Sequence, residues 1–367
     1  MNDPVFNFSA GPAVLPLPVL EAAQELVLRI DGLGVSALEV SHRSAWFTDV
    51  IQEAESNLRE LLAIPANYRV VFCQGGATLQ FSMLAMNFLR GTGKTADYVL
   101  TGAWSAKAVK EAGKEGDTRT AWTDASNGFR RTPSDLELSD ALSDDAAFVH
   151  VTANETIQGV EFPATPAVPA GVDLICDMSS DFLSGPVDVT RYGLIYAGAQ
   201  KNAGPAGVTI AIIREDLLER IPDGLPVMLD YRTFTEHGSL YNTPPVLSIL
   251  VLMLVTRWLR GDVGGLQKQL DHNRRKAAAL YDAVDASQGF YRGHADLKSR
   301  SLMNVTWTLP TPELEKRFVA EAAADGMIEL KGHRSVGGIR ASIYNAMPIQ
   351  GAETLASFMV AFRAANG

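Results

Sequence analysis

Only two of the 367 residues are cysteine, Cys73 and Cys176, and each lies in an apolar run (VVFC and DLIC). Two thiols cannot complete a zinc cage, and thiols in such runs are expected to be buried packing groups. Positive charge is also scarce. Against 42 Asp and Glu there are 32 Lys and Arg, for a net charge of −10. That balance excludes nucleic acid as a partner, because binding a phosphate backbone needs a cationic surface. Any anionic ligand must be met by a local cluster of cations. Long apolar runs are missing as well. The strongest, PVLSILVLMLV at 245–255, is closed by TRWLRG. It is too short to cross a bilayer, so it predicts a core helix and no membrane association. The opening MNDPVFNFSAGPA lacks the basic region and apolar core of a signal peptide. A cytoplasmic protein is expected.

Repeats and low-complexity tracts are absent, and apolar strand-like runs alternate with helical periodicity. VIQEAESNLRELL (50–62) puts Val50, Ala54, Leu58 and Leu61 on one helical face. YRVVFC, DYVLTG, AAFVHVTA, VDLICD, YGLIYAG and GVTIAIIR read as strands. Near-continuous apolarity in such strands predicts an α/β fold with a mostly parallel sheet covered by helices on both faces. The texture changes after Arg260: LQKQLDHNRRKAAALYDAVDAS predicts a long amphipathic helix, followed by SLMNVTWTL, PELEKRFVAEAAADG and GIRASIYN. We expect a large domain over 16–267, and a smaller α+β domain from 268–367 with 1–15.

Ligands of open α/β sheets sit beyond the carboxyl ends of the strands. Gly75-Gly76-Ala77-Thr78 lies between a strand and a helix, where small residues let backbone N–H groups meet an anion; the same residues also suit a plain tight turn. GTGKT at 91–95 ends like a P-loop, but Phe88 stands where that pattern needs glycine, so an ATPase is rejected. Trp104 follows the DYVLTG strand and could stack on a flat ring or pack into the core. Asp177 ends VDLICD; it could hold a proton on a pyridine-type nitrogen or cap a helix at MSSDF. Lys201 sits among small residues in YAGAQKNAGPAG, which suits a desolvated amine as well as an ordinary loop lysine. Finally, KGHRSVGGIRASIYN (331–345) and SHR (41–43) gather His333, Arg334, Arg340, His42 and Arg43, a dense set of cations for an acidic chain. Amine, carboxylate, aromatic plate and phosphate cradle together describe a site for pyridoxal 5′-phosphate.

At these residues the chain resembles the phosphoserine aminotransferases, a branch of the class V aminotransferases. The likeness spans FSAGPA, EVSHRS, FCQGGAT, NETIQGVEF, DMSSDFLS, YAGAQKN, LYNTPP and KGHRSVGGIRASIYNAM. It implies the fold type I architecture, with a seven-stranded sheet, and a homodimer that shares its active sites. Residue by residue, it implies that Lys201 carries the cofactor and Asp177 pairs with its ring nitrogen. Trp104 would stack on the ring, Thr156 would touch its polar edge, and Ala77, Thr78 and Gln200 would hold the phosphate. Asn242 and Thr243 would reach that phosphate from the second subunit. Arg340 would bind the substrate α-carboxylate. His42 and Arg43, from the neighbouring chain, with His333 and Arg334 would receive the substrate phosphate or the glutamate side chain. Many bacterial members carry an arginine where this chain has Thr78. The implied reaction converts L-glutamate and 3-phosphohydroxypyruvate into 2-oxoglutarate and O-phospho-L-serine, with the 4-phosphohydroxythreonine pair of vitamin B6 synthesis as a further possibility. The rivals are another class V enzyme, such as an alanine–glyoxylate aminotransferase or a cysteine desulfurase, and a non-catalytic cofactor carrier.

Overall fold

The computed structural model describes residues 5–367. Seven strands form its central sheet: β1 (Tyr68–Cys73), β2 (Ala96–Leu100), β3 (Thr118–Thr123), β4 (Val149–Thr152), β5 (Leu174–Asp177), β6 (Leu194–Gly198) and β7 (Thr209–Arg214). Their spatial order is β1-β7-β6-β5-β4-β2-β3. Only β7 is antiparallel, to both β1 and β6; the other six point the same way. Six of the seven are the apolar runs expected above. β3 (TRTAWT) was not among them. It is an edge strand whose residues are half-buried or exposed, so it carries no apolar run to betray it.

Side chains alternate across a strand, and here both faces are covered. Val70, Phe72, Val151, Cys176 and Ile195 join one apolar cluster, and Val71, Tyr98, Phe148, Ile175 and Tyr196 join the other. Each fully buried side chain of this size contributes about 1.5–3 kcal/mol. The two cysteines fall on opposite faces, both buried, and burial raises both thiol pKa values. The first cluster also holds the Ala45–Leu62 helix, with Val50, Ala54 and Leu58 buried and Leu61 half-buried. It packs against the Val246–Arg260 helix, the apolar run of the sequence, and Asn57 donates to Thr256 Oγ1 at 3.1 Å between them. No helix of the described residues is long and apolar enough to cross a membrane.

A third cluster draws on Phe8 and on residues from Ala277 to Phe362. It lies about a three-stranded sheet of Arg292–Gly293, Asn304–Thr308 and Ile339–Ser342 and includes side chains of the Leu266–Asp285, Pro312–Ala324 and Ile349–Asn366 helices. Phe6–Asn7 pairs in parallel with Met327–Ile328, which ties the N-terminal stretch to this part of the molecule.

The site follows from strand direction. Because β1, β2, β4, β5 and β6 all run the same way, the loops after them leave from one edge of the sheet. The strand order reverses between β4 and β2, and a crevice opens where neighbouring connections diverge.

Candidate active site

After β1, Gly75 and Gly76 take φ values of +87° and +64°, and the Gly76–Phe88 helix begins at once. A Cβ at Gly75 would lie 2.6 Å from the Leu79 side chain, so the turn needs glycine for space as well as for conformation. Ala77 and Thr78 thus occupy a first helical turn, whose N–H groups have no intrahelical partners. After β2 the Ala103–Ala112 helix starts, with Trp104 in its first turn. Thr156 follows β4, Asp177 closes β5, and Gln200 and Lys201 follow β6.

All of these residues line one cavity of about 350 Å³, together with Ala10, Gly11, Ile157, Ser179, His333 and Arg340. Four larger clefts, of about 510 to 620 Å³, lie elsewhere, among them one beside Pro16–Pro18 and Met347 and one against Cys176 and Tyr192. Size does not choose between them. The smaller cavity is where an amine, a carboxylate, a guanidinium and a helix N-terminus converge, and such convergence marks a site of chemistry.

The Lys201 ammonium donates to Thr156 Oγ1 at 2.6 Å and sits 5.4 Å from the centre of the Trp104 ring. Burial pulls its pKa from 10.5 down to about 8, against the opposing pull of Asp177, Glu155 and Asp181. Asp177 Oδ1 accepts from the Ser179 N–H at 2.8 Å, and Ser179 Oγ accepts from the Gly198 N–H at 3.0 Å, which locks the ends of β5 and β6 together. No helix begins after Asp177; the chain makes a turn, so the helix-cap alternative is dismissed. Burial raises the Asp177 pKa, while Lys201 and the Ser179 bonds lower it. A carboxylate in that position gains from any further cation brought against it. The Arg340 guanidinium makes one long hydrogen bond, Nη1 to the Thr156 carbonyl at 3.4 Å, among the described residues. Burial lowers its pKa, and most of its five N–H donors remain available to a carboxylate. His333 accepts from the Ser335 N–H at Nδ1 (3.2 Å); burial, then Arg340, Lys107 and Arg334, push its pKa down.

The Lys201 shift has a signed consequence. A base whose folded pKa lies below its unfolded value costs stability below pH 8, and that cost is relieved as pH rises toward 10.5. In the same window the amine becomes neutral and nucleophilic. Residue-resolved acetylation of cofactor-free protein is expected to show Lys201 reactivity rising through about pH 8. A midpoint near 10.5, that of a solvated lysine, would refute the desolvated setting.

The family model of "Aminotransferase class-V" matches residues 5–355. The chain belongs to the class V aminotransferases. The phosphoserine aminotransferase of Rhodopirellula baltica is 53% identical over 362 residues, 99% of this chain and 96% of that protein. The solved phosphoserine aminotransferase from Bacillus circulans subsp. alkalophilus superposes with a TM-score of 0.96 at 49% identity, covering 100% of both chains. A PLP-bound phosphoserine aminotransferase from Trichomonas vaginalis superposes at 0.91 with 37% identity, over 97% of this chain and 99% of that one.

Within this class V chain, nine of the residues given a binding or catalytic role from sequence line the cavity: Ala77, Thr78, Trp104, Thr156, Asp177, Gln200, Lys201, His333 and Arg340. Five do not line it. Arg334 is exposed beside His333. His42 and Arg43 precede the Ala45–Leu62 helix, which Ser44 caps by accepting from the Phe47 N–H at 3.2 Å. Asn242 and Thr243 precede the Val246–Arg260 helix. His42 Nε2 and Asn242 Oδ1 are buried polar atoms with no hydrogen-bond partner among the described residues. Sequence reasoning overlooked Gly11, Ile157 and Ser179 on the cavity wall. Gly11 has φ +140°, and a Cβ there would lie 3.3 Å from Lys201 Cγ. Its signal was present in FSAGPA, but nothing local ties that stretch to a lysine 190 residues away.

Proposed function

We propose that this class V aminotransferase is a phosphoserine transaminase, moving the amino group of L-glutamate to 3-phosphohydroxypyruvate with pyridoxal 5′-phosphate as cofactor. The donor set suits the cofactor: an amine of depressed pKa, a buried carboxylate within its field, an indole face and a helix N-terminus around one cavity. Lys201 would hold the cofactor, Asp177 its ring nitrogen, Trp104 its face, Thr156 its polar edge, and Ala77, Thr78 and Gln200 its phosphate. When bound, the cofactor supplies a carbonyl carbon for amine exchange and a cationic ring that takes up the electron pair left by a departing proton. The residues do the rest. Lys201 Nζ would take the proton from the substrate Cα and hold it for return to the carbon that the cofactor supplies, so one group would serve as base and acid. Asp177 would keep the cofactor's ring nitrogen protonated. Arg340 orients the α-carboxylate bidentately.

On this reading residues 16–267 hold the cofactor, while 1–15, of which 1–4 lie outside the described residues, and 268–367 form a unit that bears on the substrate. A homodimer completes the site: Asn242 and Thr243 of a second copy reach the cofactor phosphate, and its His42 and Arg43 join His333 and Arg334 around the substrate's distal anion. That Asn242, Thr243, His42 and Arg43 do not line the cavity of their own chain supports the assignment. A mixed His/Arg cluster accepts carboxylate and phosphate in turn, as the two half-reactions require.

The observation that carries the proposal is the Lys201 amine in the field of the buried Asp177 carboxylate, at one mouth of the parallel sheet, in a chain so similar to known phosphoserine aminotransferases. A half-reaction screen tests it: phosphoserine should bleach the yellow protein far faster than serine or alanine, with phosphohydroxythreonine as a further donor. Preference for alanine would favour a class V enzyme of unphosphorylated substrates, and no bleaching a carrier. Arg43→Ala and His333→Ala are each expected to raise KM for the phosphorylated substrate about tenfold or more, the loss of one charged hydrogen bond, with little change in bound cofactor. Loss of cofactor with unchanged KM would reverse the assignment.

A further inference from the structure

Glu155 is completely buried, yet neither composition nor motif singled it out. It belongs to a short hairpin in which Asn154–Glu155 pairs with Val160–Glu161. Its Oε2 accepts from the Trp104 N–H at 2.9 Å, and its Oε1 accepts from the Ser105 N–H at 2.8 Å and the Ser105 hydroxyl at 2.7 Å. Gln158 of the same hairpin adds Oε1 as acceptor for the Ala103 N–H at 3.3 Å. The first turn of the Ala103–Ala112 helix is therefore held by side chains from another loop. Between Glu155 and Gln158 stands Thr156, whose hydroxyl accepts from Lys201 and whose carbonyl accepts from Arg340.

Gly102 reports how tightly this joint is made. Its φ of 177° is extended backbone open to any residue, so conformation does not require glycine there. Space does: a Cβ would lie 2.4 Å from the Glu155 carboxyl carbon. The carboxylate also stands in the fields of Lys201 and Asp177, so it is part of the site's electrostatics.

We propose that Glu155 is a positioning residue: it clamps the helix that bears Trp104 to the hairpin that bears Thr156, setting the indole plane and the Lys201 partner as one rigid unit. A carboxylate suits the task because both of its oxygens accept, and two successive N–H groups face it; an amide would turn an NH₂ toward one of them. The inference rests on the cofactor reading above.

The test uses holoenzyme reconstituted with pyridoxal 5′-phosphate. Glu155→Gln keeps the shape and breaks one of the two backbone bonds. Gly102→Ala keeps every hydrogen-bonding group and pushes on the same carboxylate from the other side. Both are expected to alter the visible circular dichroism of the bound cofactor and to speed its release about tenfold or more, the factor set by one lost bond to a charged group. A mere fold staple would lower the melting temperature and leave both signals at wild-type values, and that result in either folded variant overturns the role. If Glu155→Gln does not fold, Gly102→Ala decides alone. Wild-type protein that takes up no cofactor would sink the reading of the site; variants indistinguishable from a loaded wild type would sink only Glu155.

Discussion

Lys201→Ala is expected to lower kcat by about 10⁴-fold or more, and to leave a protein that loses its yellow colour on dialysis. Proton transfer by a positioned base contributes about 10²–10⁴-fold by itself, and the same amine is the point of covalent attachment. Both roles require a neutral amine near working pH, and burial raises the neutral fraction by lowering the pKa to about 8. Thr156 Oγ1, 2.6 Å away, fixes where the amine points. Lys201→Arg separates the two contributions of the residue. It keeps a cation in the field of Asp177 but cannot act as base or nucleophile, so it should fold as wild type and remain as inactive as the alanine variant. Borohydride reduction of loaded wild-type protein followed by mass spectrometry should place the adduct on residue 201. An adduct elsewhere, or turnover surviving in Lys201→Ala, would end the mechanism given above.

Asp177→Ala and Asp177→Asn are both expected to cost roughly 10²–10³ in kcat, the range associated with loss of one preorganised electrostatic partner. They should also weaken cofactor retention. The pair is informative because of what Asp177 does besides carrying charge. Its Oδ1 accepts from the Ser179 N–H, and Ser179 in turn binds the Gly198 N–H at the head of the Lys201 loop. Asparagine can keep that turn while removing the charge, whereas alanine loses both. If the ring nitrogen needs a carboxylate, Asn is nearly as slow as Ala; if Asp177 serves only to shape the turn, Asn restores kcat and Ala alone is impaired. A kcat near wild type in Asp177→Asn would therefore refute the charge-pairing role.

Much of this was legible in the chain. Strands buried on both faces must be apolar throughout, so six of them announced themselves, and the parallel order followed from helices between them. The edge strand Thr118–Thr123 did not, because half of its surface answers to water. At the site, Lys201 stood out because small neighbours around a lone cation are unusual, and Asp177 because an acid ending an apolar run needs a partner. Ser179 and Glu155 gave no such sign, and the one that FSAGPA gave for Gly11 pointed to no partner. Gly11 matters because the N-terminal stretch folds back onto the Lys201 side chain, and Glu155 because a hairpin meets a helix that starts 52 residues earlier.

The sequence alone determined which residues had to be buried and which chemical groups stood at strand ends, since hydrophobic burial and side-chain ionisation are properties each residue carries with it. Tertiary structure alone decided which of those groups share one cavity, how far burial shifts the Lys201 amine, and which N–H groups an acid can reach. Those depend on distances and desolvation, and both arise only when segments far apart in the chain are packed together.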